Sequence, residues 1–237
     1  MTFKFLHTAD WHLGKAFGSF NDDQTVLLRE ARFSAIERIT DVARKHGIEH
    51  VLVAGDMFDS AGLGDHVLRR CLALLRDAAE LTWVILPGNH DPDHERGLWD
   101  RIARIGLPNN VIVCRERRPV RLTASAILLP APLAANTSAG DPTDWFQSAA
   151  REPSDIVIGL AHGSAHTFGG DSEAAVQISP VQAESAGVDY LALGDWHGLK
   201  QVGDKTWYSG TPEPERYVNN QPGHVVVVEV AGPGAAP

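Results

Sequence analysis

Thiols and long apolar runs are scarce in this sequence. Its two cysteines, Cys71 and Cys114, lie far apart and outside any CxxC pattern, so neither a disulfide framework nor a thiolate metal site is indicated. No apolar run approaches about 18 residues, so no membrane span is predicted. The amino terminus lacks a basic stretch followed by an apolar one, and we therefore expect no secretory signal and a cytoplasmic location.

Positive charge is also in short supply. The sequence contains 30 acidic residues against 21 lysines and arginines, which gives a formal net charge of −9. This balance argues mildly against broad non-specific binding to nucleic acid, which needs positive surface. It is equally typical of a protein that gathers several carboxylates for cations, and charge alone does not separate these readings.

Strand and helix patterns alternate in the first half of the chain. We predict buried strands over residues 3–8, 50–56 and 82–91, a helix from about Asn21 to Gly47, and a helix over 65–79. This order predicts a parallel sheet with helices packed on it, in an α/β fold.

Short strands dominate the second half. We predict them at 111–113, 119–122, 125–129, 155–162 and 188–197, followed by closing antiparallel strands within 199–209 and 223–230. A loop rich in proline and alanine occupies 130–144. We expect one domain over residues 1–230 and a disordered tail over 231–237.

Five predicted strands end in side chains that can bind metal. These side chains are Asp10 with His12, Asp56 with Asp59, Asn89 with His90 and Asp91, His162, and Asp195 with His197. In α/β sheets, ligands bind at the carboxyl ends of strands. One such pair alone is typical of a surface loop, but five in one chain indicate a shared site.

The types of side chain in this set narrow its chemistry. Carboxylates, imidazoles and one amide, without a thiolate, suit Mn²⁺, Fe²⁺ or Zn²⁺. Two such ions roughly 3.5–4 Å apart can clamp the attacking and leaving oxygens of a phosphoryl transfer, and a hydroxide between them is a strong nucleophile near neutral pH.

These motifs resemble those of a known family. Asp-x-His, "GDMFD", "GNHD", a lone histidine after a strand and "GDWH" resemble the calcineurin-like metallophosphoesterases. Within that superfamily, "LHTADWHLGK", "VLVAGDMFDS", "YLALGDWHG" and "YSGTPEPERY" are similar to the SbcD-type DNA repair nucleases. The resemblance implies a four-layer α/β/β/α sandwich with two mixed sheets. It also implies a phosphodiesterase that acts on DNA through a metal-bridging hydroxide.

The resemblance also implies a role for each motif residue. Asp10, His12 and His197 would bind one ion, Asn89, His162 and Asp195 would bind the second, and Asp56 would bridge both. His90 would face the scissile phosphate and help the leaving oxygen depart, with Asp59 hydrogen-bonded to it. Mn²⁺ is the expected metal, with Fe²⁺ and Zn²⁺ as alternatives.

The sequence departs from the family pattern in two places. The last motif is usually Gly-His-x-His, whereas Asp195 stands here in place of the first histidine, which favours harder ions such as Mn²⁺. After residue 217 the chain has no region resembling the helices that grip a coiled-coil ATPase. We therefore expect a nuclease core without that ATPase partner and without membrane contact. DNA, including single strands, is the expected partner, with other repair proteins as further candidates.

Several residues near the motifs are candidates for contact with substrate. Arg115, Arg117 and Arg118 in "CRERRPVR" either contact a phosphate backbone or cover a solvated strand edge. Trp11 and Trp196 either stack on unpaired bases or pack to hold the ligands rigid. Lys15 is a candidate phosphate contact. His166, a rival of His162, is a loop residue near the groove or merely exposed. The same metal core also serves small-molecule phosphoesterases acting on cyclic nucleotides or phosphomonoesters, which remains the alternative function.

Overall fold

Two mixed β-sheets pack face to face in the computed structural model, which describes residues 2–133, 140–165, 176–215 and 220–237. In chain order the strands are β1 (Phe3–Thr8), β2 (His50–Ala54), β3 (Thr82–Leu86), β4 (Val111–Val113), β5 (Val120–Thr123), β6 (Ala126–Ala131), β7 (Ile156–His162), β8 (Ser164–Ala165), β9 (Gln177–Ile178), β10 (Tyr190–Gly194), β11 (Lys200–Gln201), β12 (Thr206–Tyr208) and β13 (Val226–Val230).

The helices cover the outer faces of the sheets. They are α1 (Asp22–Lys45), α2 (Asp65–Asp77), α3 (Leu98–Ile105) and the one-turn α4 (Gln182–Ser185), with a 3-10 turn at Asp144–Ser148. Within the described ranges, the long helices lie on the first sheet, and the second sheet carries only α4 and the 3-10 turn.

The strand order places parallel strands in the middle of both sheets. The first sheet runs β13-β1-β2-β3-β4, with β13 antiparallel to β1 and the remaining neighbours parallel. The second runs β11-β12-β10-β7-β6-β5, with antiparallel pairs only at its two edges. The predicted α/β fold with two mixed sheets is confirmed.

Alternating side chains explain how one strand serves two cores. In β2, Val51 and Val53 pack against the helices, while Leu52 and Ala54 pack against the second sheet. Successive side chains of a strand point to opposite faces, so a strand buried on both sides is apolar throughout. The continuous apolar run in this part of the sequence follows directly from its position between two layers.

Helix α1 begins where the sequence predicted. Asn21 accepts a hydrogen bond from the Gln24 N–H at 2.9 Å, and the Gln24 side chain accepts one from the Asn21 N–H in return. This reciprocal capping box satisfies donors that a helix start leaves unpaired. Phe33 and Ile36 lie on the buried stripe that follows.

Some boundaries and elements differ from the prediction. β2 and β3 end at Ala54 and Leu86, so the ligand motifs form turns rather than strand ends. Helix α3 was not predicted, because only Leu98, Trp99 and Ile102 are buried in its two turns.

No described helix combines the length and apolar character needed to cross a bilayer. The predicted domain limits stay a prediction. Within the predicted tail over residues 231–237, the Gly234 N–H donates to the Asp189 carboxylate at 2.7 Å.

Candidate metal centre

The motif side chains gather where the carboxyl ends of both sheets meet. Three groups have donor atoms that all lie within 4.8 Å of one another: Asp10 with His12 and His197, Asp10 with Asp56 and His162, and His12 with Asp56 and His90. Parallel strands bring their carboxyl ends to one edge, and the face-to-face packing of two sheets brings two such edges together. Residues from opposite ends of the sequence thus become neighbours.

Asn89 and Asp195 complete this cluster. Asn89 Oδ1 lies 2.6 Å from His162 Nε2. The Asp195 N–H donates to the Asp10 carboxylate at 3.1 Å, and Asp195 Oδ1 lies 3.9 Å from His162 Nε2. The structure therefore brings together all seven side chains that the sequence suggested as ligands.

The backbone at the cluster adopts conformations that are rare for residues with a side chain. Asp10, His12, Asp56 and Asp195 have φ values of 54°, 45°, 50° and 100°. Such values cost free energy outside glycine, and they concentrate at functional sites. Hydrogen bonds between the loops hold them in place: the Asp10 N–H donates to Gly55 O at 3.1 Å and the His12 N–H to Asp56 O at 3.0 Å.

Two glycines make room for the donor groups. A Cβ atom at Gly88 would lie 2.1 Å from Asp56 Oδ1, and one at Gly55 would lie 2.1 Å from His162 Nδ1. Gly55 also has a φ of 90°, which side chains disfavour. The glycines of "GDMFD" and "GNHD" are therefore required by close approach at the cluster.

Buried carboxylates dominate the electrostatics. Burial raises the pKa of Asp10 well above its ordinary value, and the charges of Asp56 and Asp195 raise it further. Burial acts to lower the pKa of His162, but Asp56, Asp10 and Asp195 outweigh it and raise that pKa to about 9. Negative charge packed this closely favours a proton or a metal cation nearby.

The histidines present nitrogen atoms in a way that suits a cation. His162 Nδ1 donates to Ala54 O at 2.8 Å, which directs Nε2 towards the cluster. His12 Nε2 lies 3.3 Å from His197 Nε2, and burial lowers the pKa of both histidines, which keeps them neutral. Neutral imidazoles converging beside carboxylates are the donor set of Mn²⁺, Fe²⁺ or Zn²⁺, so the residues fit divalent ions.

His90 lies at the exposed side of the cluster. Its Nδ1 donates to the main-chain carbonyl oxygen of Asp59 at 3.0 Å, rather than to the Asp59 carboxylate as the resemblance implied. The Asp59 carboxylate instead lies 3.5 Å from both Lys15 Nζ and His12 Nδ1. Asp59 therefore contacts His90 through its main chain and Lys15 through its side chain.

The sequence analysis counted Asp91 among the side chains that can bind metal but placed it at neither ion; in the structure it orders the two glycine-containing loops. Its buried carboxylate accepts hydrogen bonds from the Gly88 N–H at 2.7 Å and the Phe58 N–H at 3.0 Å. Burial, reinforced by the charge of Asp56, raises the pKa of Asp91 to about 8. In the sequence, only its position directly after Asn89 and His90 could have indicated this role.

The two tryptophans suggested as stacking platforms have different positions. Trp11 is 2% exposed, donates from Nε1 to Thr8 Oγ1 and packs edge-on against Trp83. Of the two alternatives left open for Trp11, its position favours packing that holds the ligand loop, because the core covers its ring. Trp196 is partly exposed with Lys200 Nζ 5.2 Å from its ring centroid, and its contact with substrate stays a prediction.

The basic candidates are largely paired with acids. Arg115 contacts Asp93 and Asp100 at 2.7 and 2.8 Å, and Lys15 Nζ lies 3.0 Å from Glu215. These contacts favour the solvated-edge interpretation for Arg115. Two further candidates are exposed: Arg118, which pairs with Glu116 at 3.0 Å, and Arg117. His166 lies outside the described residues.

Comparisons with known proteins agree with this geometry. A family model described as calcineurin-like phosphoesterase matches residues 3–199, a range that contains all seven suggested ligands. The SbcD component of the nuclease SbcCD from Bacillus subtilis is 26% identical over 88% of this chain and 61% of that protein. "DNA double-strand break repair protein Mre11" of Methanopyrus kandleri is 25% identical over 89% of this chain and 49% of that protein.

The chain spans less than two thirds of the length of these two relatives. A solved structure, the protein TT1561 of Thermus thermophilus, superimposes with a TM-score of 0.56 at 10% identity. The match covers 89% of this chain and 90% of that protein, and it shows that the two share a fold.

Proposed function

Because this chain belongs to the calcineurin-like phosphoesterase family, we propose that it is a two-metal phosphodiesterase that cleaves DNA. The observation that carries the proposal is the convergence of three overlapping donor groups on one edge of the fold. The names of the relatives, a nuclease component and a break repair protein, support DNA as the substrate and repair as the process.

The ligands divide between two ions. Asp10, His12 and His197 would hold the first, Asn89, His162 and Asp195 would hold the second, and Asp56 would contribute to both. Divalent ions bound there would supply an activated water near neutral pH and would neutralise charge on the phosphate oxygens. The carboxylate of Asp195 adds a hard oxygen donor to the second ion, which supports Mn²⁺ as the metal.

His90 assists departure of the leaving oxygen. Its Nδ1–H is occupied by the Asp59 carbonyl oxygen, so Nε2 remains for the substrate. His90 and Asn89 are both exposed, which leaves this side of the cluster open to a long substrate. A proton donated from Nε2 stabilises the alkoxide that the departing group would otherwise become.

A small phosphodiester or phosphomonoester is the second candidate substrate. The observation that favours it is charge pairing: Lys15 and Arg115 are each bonded to two carboxylates, so their charge is already balanced. If many unpaired lysines and arginines held a DNA backbone, cleavage would weaken steeply as the salt concentration rises.

A substrate panel separates these candidates. Metal-free protein is incubated with Mn²⁺, Fe²⁺, Zn²⁺ or Mg²⁺ and with end-labelled single-stranded DNA, duplex DNA, a chromogenic diester, a phosphomonoester and cyclic nucleotides. Metal-dependent cleavage of DNA, absent in Asp56→Asn, supports the proposal. Turnover of the small esters without any DNA cleavage by the same preparation rejects the nuclease assignment.

A further inference from the structure

A chain of ion pairs connects helix α1 to the metal-site loops. We propose that Arg32 and Glu215 are positioning residues that hold the first ion site, formed by Asp10, His12 and His197, in its binding geometry. The inference rests on the two-metal function proposed above, but it concerns two residues to which neither the ligand motifs nor the resemblance assigned a role.

Arg32 reaches the first ligand loop from the middle of α1. The residue is 2% exposed, although an arginine on a helix normally extends into water. Its Nη1 donates to the main-chain carbonyl oxygen of Trp11 at 2.7 Å. Trp11 lies between Asp10 and His12, both of which have positive φ. The guanidinium therefore fixes the peptide that sets the direction of two ligands.

Glu215 provides the opposite charge from a different part of the chain. Its side chain is 6% exposed and accepts a hydrogen bond from Arg32 Nη2, which also lies 3.5 Å from Pro214 O. The second carboxylate oxygen lies 3.0 Å from Lys15 Nζ, which in turn approaches Asp59. Moving either partner of a buried ion pair leaves the other charge buried without compensation, so the two side chains hold each other in place.

The segment that carries Glu215 also contacts the last ligand loop. The Thr211 N–H donates to the main-chain carbonyl oxygen of His197 at 3.3 Å. Asp10 and His12 follow a strand of the first sheet, whereas His197 follows a strand of the second. The Arg32–Glu215 pair thus joins the loops of the two sheets that must meet at one ion.

The chain offers a matched control for this pair. Glu213, two residues before Glu215, binds Arg38, which lies on the same helix as Arg32. This second pair also ties the segment to α1, but the Arg38 side chain is 56% exposed and has no contact with a ligand loop among the interactions described. Comparing the two pairs separates positioning of an ion site from simple tethering of the segment.

The test measures binding of Mn²⁺ to metal-free protein by titration calorimetry and by the electron paramagnetic resonance of free Mn²⁺. For Glu215→Gln we expect one of two sites to weaken by about 10- to 100-fold, the range seen when outer partners of metal ligands are removed. The other site should keep its affinity, and Glu213→Gln should match the wild type. Equal weakening in Glu213→Gln, or two unaltered sites in Glu215→Gln, would overturn the proposal.

A double variant distinguishes loss of ion binding from loss of folding. Arg32→Met with Glu215→Leu removes both charges together, and apolar replacement of a buried pair is often neutral for stability. We expect this variant to melt close to the wild type without metal and still to bind one ion weakly, since the contact with Trp11 O is gone. Wild-type affinity at both sites would contradict the proposal. Because the readout is metal binding, a wild type that binds two ions but cuts no DNA would reject the nuclease function alone.

Discussion

Asn89 Oδ1 lies 2.6 Å from His162 Nε2, although Asn89 follows a strand of the first sheet and His162 ends a strand of the second. Asp56 contacts both segments, with Oδ2 at 3.5 Å from His162 Nε2 and Oδ1 accepting the N–H of His90, the residue after Asn89, at 2.8 Å. The centre therefore exists only where the two sheets pack, and the Asp56 carboxylate contacts residues from both of them.

Replacing Asp56 by asparagine should remove most activity. The variant keeps the shape of the side chain but loses the charge that both proposed ion sites would share. Because outer partners of metal ligands alone are worth roughly 10- to 100-fold, we expect cleavage with Mn²⁺ to fall by more than about 100-fold. Initial rates on the chromogenic diester measure this, and near-normal rates at saturating Mn²⁺ would end the two-metal account.

His90→Ala should separate chemistry from metal binding. In the proposed mechanism the exposed His90 contributes a proton rather than a ligand, so Mn²⁺ affinity should match the wild type. We expect kcat to fall by roughly 10²–10⁴-fold, the usual contribution of a general acid. Calorimetry and steady-state kinetics on one preparation test the unchanged Mn²⁺ affinity and the lower kcat. A parallel loss of Mn²⁺ affinity would show that His90 is a ligand.

Asp59→Asn should be milder than His90→Ala. The contact with His90 comes from the main-chain carbonyl oxygen of Asp59, which the substitution preserves. We expect cleavage to fall by about tenfold, the low end of the range for an outer contact to a proposed metal ligand such as His12. A loss as large as that of His90→Ala would show that the carboxylate, not the carbonyl oxygen, orients the imidazole during catalysis.

Gly88→Ala should displace the shared carboxylate. The new methyl group would lie 2.1 Å from Asp56 Oδ1, so the side chain must move. We expect Mn²⁺ affinity to fall at both sites, as measured by calorimetry. Gly62→Ala is the matched control, because a Cβ there has no neighbour within 4 Å and should leave binding unchanged. Wild-type affinity in Gly88→Ala would mean that Asp56 is not confined as the structure shows.

His7 should make the metal-free protein sensitive to acid. It accepts from Tyr190 OH at 2.9 Å and donates to Leu193 O at 3.1 Å, and burial lowers its pKa from 6.5 to about 3. The unfolded chain protonates near pH 6.5, whereas the folded protein holds the residue neutral. Its stabilisation is therefore complete above pH 6.5 and is lost progressively as the pH falls towards 3.

The comparison with His7→Gln isolates this effect from other titrating groups. Urea denaturation in a chelator at several pH values gives the free energy of unfolding of both proteins. The wild-type advantage over the variant should shrink as the pH falls through this window. A difference that stays constant with pH would show that His7 titrates alike in both states.

The sequence alone determined the strands that reach the site and the residue types at their ends. Val51 to Ala54 are apolar because both faces are covered, and the motifs after β2 and β3 combine glycine with ligand atoms because backbone and donor groups approach closely there. Such features are local, so spacing and residue type express them directly.

Only the tertiary structure decided which neighbours each side chain would find. Trp11 lies in the core, Asp59 contacts Lys15 with its carboxylate and His90 with its main chain, and Arg32 pairs with Glu215 across 183 positions. These partners depend on how two sheets and a helix pack in space. A distance between remote segments leaves no periodicity in the chain, so the sequence could name the candidates for the centre but not the contacts that hold them.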